Sequence, residues 1–134
     1  MKLMKFLKLF VIIMPFMVIV DYLWLGVIAQ NTLARELVSF EMTLRIVPAI
    51  LVYLLMSVGI ILFVLPKTNL EYKRALIWGA VFGLVLYGVY DLTNYAILVK
   101  WTFKFIVIDI TWGIFINAFA SVFAVYLSKL FGGK

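Results

Sequence analysis

ALIWGAVFGLVLYGVYDLTNYAIL, residues 75–98, is an apolar run flanked by Lys73 and Arg74 on one side and Lys100 on the other. A hydrocarbon core needs about 20 such residues in a helix, so this stretch reads as a membrane span. Within it Gly79, Gly83, Tyr87, Asp91 and Tyr95 recur every four residues, with Tyr90 and Asn94 beside them. That period places them on one helical stripe, small towards one end and polar towards the other. Gly79-x-x-x-Gly83 lets a second helix approach closely, as small residues do where lipid removes the hydrophobic drive between helices.

Three more apolar runs surround this one, at about 9–29, 46–65 and 105–127. The sequence therefore predicts an all-α, four-transmembrane-helix bundle, a polytopic integral membrane protein forming one domain over residues 1–134. Composition agrees, with 67% hydrophobic and 13% charged residues and a mean hydropathy of +1.20. Soluble domains are about half apolar and a quarter charged. The balanced polar stretch from Gln30 to Arg45 is read as a connection with room for a short interfacial helix. The first run is expected to remain as a membrane helix. It is too long for the apolar part of a signal peptide and contains Asp21, although Val27-Ile28-Ala29 resembles a cleavage site.

The chain has no Cys and no His. Disulfides, thiolate or imidazole chemistry and the usual zinc or haem ligands are thereby excluded, and no cofactor or metal is expected. The net charge is +6, but the basic residues sit at segment ends and in loops. They read as topology signals and lipid-headgroup contacts, with no nucleic-acid surface. Eight basic residues lie on the side of both termini and the second connection, against four on the other side. Both termini are accordingly expected in the cytoplasm, as a multi-pass protein of a bacterial inner membrane.

Of the six acids, Glu36, Glu41 and Glu71 lie in connections, whereas Asp21, Asp91 and Asp109 lie inside apolar runs. A carboxyl at membrane depth costs about 2.5–3.5 kcal/mol on insertion scales, which makes three of them the most informative residues in the chain. At 1.5 Å per residue all three fall within about 10 Å of the outer ends of their helices. The fourth run carries its own stripe of Asp109, Gly113, Asn117, Ser121 and Ala124. Trp24 and Trp112 stand three residues from Asp21 and Asp109, and so near the same helix faces. Trp101, beside Lys100 and Lys104, reads as an interfacial belt residue. Asp109 has a second reading as the cap of a fourth helix that starts later.

Asp21-Tyr-Leu-Trp24-Leu-Gly26, Pro48 with Tyr53, Tyr87-Gly-Val-Tyr90-Asp91-Leu-Thr93-Asn94-Tyr95-Ala and Ile108-Asp109-Ile-Thr-Trp112-Gly113 resemble a family of small bacterial predicted membrane proteins, domain of unknown function 2177. The resemblance implies a four-helix integral membrane protein and supplies no agreed activity. Thr102 departs from the family pattern, where a Pro is expected after the Trp.

The candidate substrate-binding or proton-coupling residues are Asp21, Asp91, Asp109, Trp24, Tyr87, Tyr90, Asn94, Tyr95, Trp112 and Asn117, with Gly79, Gly83 and Gly113 for helix packing. Crowded carboxylates in a low dielectric can exchange a proton for a cation, and aromatic faces attract ammonium groups. The leading expectation is thus proton-coupled transport or binding of a small cationic or amphiphilic solute. A homo-oligomer is favoured because 134 residues are few to enclose a path. The alternatives are a membrane enzyme or enzyme accessory acting on a lipid at the outer interface, and a non-catalytic assembly subunit. No nucleophile motif supports catalysis, and the sequence favours a non-enzyme.

Overall fold

The computed structural model describes residues 1, 3–28 and 45–132, and among them every regular element is helical. The Gln30 to Arg45 connection, with its expected interfacial helix, lies outside the described residues except for Arg45. Helix α1 runs Leu3–Leu23 and continues through a wider π-type turn, Trp24–Ile28. Helix α2 runs Ile46–Gly59, widens over Ile60–Val64 and closes in a tight turn, Leu65–Lys67. Helix α3 is Tyr72–Ile97 and α4 is Phe103–Leu130. All four are long and apolar enough to cross a membrane.

The first helix begins earlier than residue 9. Leu3, Met4, Phe6 and Leu7 are apolar, and lysines at three-residue spacing let the helix continue while their ammonium groups reach out to the headgroups. The last helix, at 28 residues, is about 42 Å long and exceeds the hydrocarbon thickness of roughly 30 Å. It starts at a defined cap. The Thr102 hydroxyl accepts the Phe105 N–H at 3.2 Å, a role a Pro at this position could not fill. Asp109 therefore lies inside α4, and the reading of it as a helix cap is excluded.

Helix α4 is the centre of the bundle. Half of its most apolar window is buried, against 17% for α1 and 28% for α2 and α3. It packs along α3 and also meets α1, whereas the body of α2 packs mainly on α1 and only its last turns reach α3 and α4. Leu9, Ile13 and Met17 are fully buried on α1, and the same four-residue stripe delivers Asp21 inward at its next position. Large apolar residues on the outer faces, such as Val11, Leu55, Val89 and Phe119, are exposed to the bilayer.

Glycine sets the distance between α3 and α4. A β-carbon at Gly79 would stand 2.5 Å from the Ser121 hydroxyl oxygen and 2.6 Å from the Asn117 carbonyl oxygen. One at Gly83 would overlap the Gly113 carbonyl, and one at Gly113 would enter the Tyr87 ring. These glycines thus act within the chain, at the α3–α4 contact. Between α2 and α3, Thr68 ties the turn. Its hydroxyl donates to the Leu65 carbonyl at 2.8 Å and accepts from the Leu70 N–H at 3.1 Å, while Asn69 and Leu70 adopt φ of 49° and 59°.

Candidate functional site

The inward stripes bring the three membrane-depth acids into one neighbourhood, built as two half-sites. In the first, Asp21 is buried between three helices. Its Oδ1 accepts the Trp112 indole N–H at 2.7 Å, and its Oδ2 accepts a short hydrogen bond from the Tyr53 hydroxyl. Asp21 thus links α1 to α2 and α4, with a donor on each of its oxygens. The aromatic partner is not the one helical spacing suggests. Trp112 serves the carboxyl of α1 rather than Asp109 on its own helix. Trp24 lies flat on it, ring centres 4.3 Å apart and planes within 3°.

The second half-site is Asp91 with Asp109. Asp91 is completely buried, and its Oδ1 accepts the Trp101 indole N–H at 3.2 Å. Its other oxygen, Oδ2, is buried with no hydrogen-bond partner. The Asp109 carboxyl is close enough to interact with Asp91 directly and lies within electrostatic range of Asp21. A buried anionic oxygen beside a second carboxyl is unfavourable unless a proton or a cation stands between them. Tyr87 joins the half-sites. Its ring rests on Gly113, and its hydroxyl is within electrostatic range of Asp21, Asp91, Asp109 and Tyr53.

Other residues expected at the site stand at its edge. Tyr90 is 55% exposed, yet its ring meets that of Trp101, it interacts with Asn94, and it lies within electrostatic range of Asp109 and Asp91, whereas Tyr95, 50% exposed, packs on Phe103. Asn117 sits deeper, among the glycines. Its side-chain N–H₂ donates to the Gly113 carbonyl at 2.8 Å, while its Oδ1 has no hydrogen-bond partner. It belongs to the α3–α4 packing contact.

Two residues of the site escaped the sequence reading. Tyr53 carries a hydroxyl at membrane depth in α2 and was noticed only within the family resemblance. Trp101 is the clearer correction. It is buried rather than in an interfacial belt, folded back so that its N–H reaches Asp91 and its ring meets the Phe105 edge at 4.8 Å. Its neighbours Lys100 and Lys104 concealed this. Trp101→Phe keeps the ring contacts and removes the donor. A loss of roughly 1 kcal/mol is expected, the usual scale for a hydrogen bond between membrane segments. Denaturation of the purified protein in detergent checks it, with Trp101→Ala expected to lose more.

Among the described residues no group of three or more acidic side chains is arranged to hold a metal ion. The arrangement can hold a proton or a small cation on the Asp91 and Asp109 pair, and it fixes three helices through Asp21.

No curated protein and no solved structure matches the chain. A family model does match, over residues 6–126, and its description is that of a predicted membrane protein. With four membrane-length helices and a match over nearly its whole length, the chain belongs to the DUF2177 family of predicted membrane proteins.

Proposed function

We propose that this membrane protein binds a small cation in exchange for a proton at the Asp91 and Asp109 pair, with Tyr87 linking that pair to Asp21. One observation carries the reading: Asp91 Oδ2 is buried with no hydrogen-bond partner, on a carboxyl that interacts directly with that of Asp109. A shared proton halves the charge of such a pair, and a monovalent cation displaces it with no net change of charge. The stacked Trp24 and Trp112 rings are used on each other, which favours a compact cation over a bulky quaternary one. By the count of basic residues the carboxyl layer lies in the outer half of a bacterial inner membrane with both termini inside. The small size of the bundle favours a homo-oligomer around any path.

Infrared spectroscopy in lipid nanodiscs tests the pair without knowledge of the solute. A protonated-carboxyl band at neutral pH is expected, lost in Asp91→Asn and in Asp109→Asn and kept in Asp21→Asn. Proteoliposomes carrying a pH dye should then move protons in response to a sodium, potassium or ammonium gradient, and each of the first two variants should stop it. An unchanged band in all three variants defeats the reading.

A second reading follows from Asp21, whose two oxygens are each already bonded. Such a residue fixes helix register and needs no solute, as in a subunit that assembles with another membrane protein. Asp91→Asn and Asp109→Asn would then leave co-purification of that partner intact.

A further inference from the structure

At the end of the bundle away from the carboxyls, a cleft of about 790 Å³ opens between the start of α1, the last turn of α2 and the end of α4. Lys5 and Lys8 line it on one side, Leu65 and Phe131 form apolar wall, and Asn69 and Ser128 add polar groups. Three other cations at this end have partners of their own: Lys67 lies 4.7 Å from the Trp78 ring centre, Lys129 lies 4.1 Å from that of Tyr72, and Arg74 pairs with Glu71 at 3.0 Å. Lys8 Nζ lies 5.7 Å from the Phe131 ring centre, and among the described residues neither Lys5 nor Lys8 has a carboxylate partner. The carbonyl end of α4 opposes them with about half a charge, which two full positive charges outweigh.

We propose that this cleft holds the phosphate headgroup of an anionic membrane lipid. The two lysines neutralise the phosphate, Asn69 and Ser128 supply hydrogen bonds, and the apolar wall accepts the first part of an acyl chain. Three features favour a lipid over a free anion. The cleft stands at the helix ends, where headgroups lie. Its wall is largely apolar. It also adjoins an exposed apolar face of α1, with Leu3 at 73% and Met4 at 67% exposure, along which a chain can continue into the bilayer. Basic clefts between membrane helices commonly recognise acidic headgroups in this way.

Native mass spectrometry of the full chain, titrated with phosphatidylglycerol and with phosphatidylcholine in detergent, tests the proposal. Phosphatidylglycerol should be retained and phosphatidylcholine should not. The Lys5→Gln, Lys8→Gln pair should weaken phosphatidylglycerol binding roughly twenty-five-fold, from about a factor of five per lysine. Lys5→Arg, Lys8→Arg should keep it, which separates loss of charge from loss of fold. The Lys67→Gln, Lys129→Gln pair removes the same charge from the same end and should have little effect. Equal weakening by both glutamine pairs, or equal retention of the two lipids, overturns the proposal in favour of diffuse attraction. Displacement by equimolar inorganic phosphate overturns it in favour of a soluble anion.

Discussion

Gly83→Ala is expected to destabilise the protein by roughly 2–3 kcal/mol, the upper range for forcing one methyl into a packed contact. The new β-carbon would overlap a backbone carbonyl, that of Gly113, and backbone moves less readily than a side-chain tip. Relief requires α3 and α4 to separate, which also shifts Tyr87 away from the carboxyls. Gly88→Ala is the matched control. Gly88 is buried on the same helix, yet an added β-carbon there meets nothing within 4 Å. In that position alanine should be neutral or stabilising, since glycine inside a helix costs up to about 1 kcal/mol relative to alanine. Denaturation of the two variants side by side, in one detergent, measures the difference. Similar midpoints would mean that the glycine contact does not set the helix distance.

The second large effect is expected at Asp21. Asp21→Ala removes the acceptor for two buried donors, the Tyr53 hydroxyl and the Trp112 indole N–H, which then lie in an apolar interior without partners. Each unsatisfied buried donor costs about 1–3 kcal/mol in proteins generally and less in membranes, where the separated helices find other partners. A total near 3 kcal/mol is expected. Asp21→Asn retains one acceptor oxygen and should lose about half as much. Asp91→Asn should behave differently, because it replaces an unpartnered anionic oxygen and relieves repulsion from Asp109. Its stability should stay close to that of the native protein or exceed it. A ranking in which Asp91→Asn is the more damaging change would reverse the roles given to the two half-sites.

Hydrophobicity and depth were readable in the sequence because both are properties of one helix at a time. Run length gave the number of spans, whereas the inward stripe of Leu9, Ile13, Met17 and Asp21 lies in a helix apolar on every side and shows only in the assembled bundle. Rotation and pairing between helices are not written along one segment. Spacing therefore puts Trp112 near the helix face of Asp109 although its N–H reaches Asp21, and puts Asn117 in the stripe of Asp109 although it packs among glycines. Trp101 was misread for a related reason. Flanking lysines mark an interface, but a short connection can fold an indole back under the helix ends, and only the assembled bundle shows it.

The central place of α4 also orders the birth of the protein. Helix α4, which packs along α3 and also meets α1, follows the other three out of the ribosome, so α1, α2 and α3 enter the bilayer before it does. During that interval Asp21 lacks Trp112 and Asp91 lacks Trp101, since both indoles lie later in the chain. Helices α1 and α3 must accordingly be hydrophobic enough to insert while carrying acids whose indole partners are still to come. Assembly of the bundle is thus a post-insertion event, in which α4 and the connection before it supply the indole partners of the acids on α1 and α3.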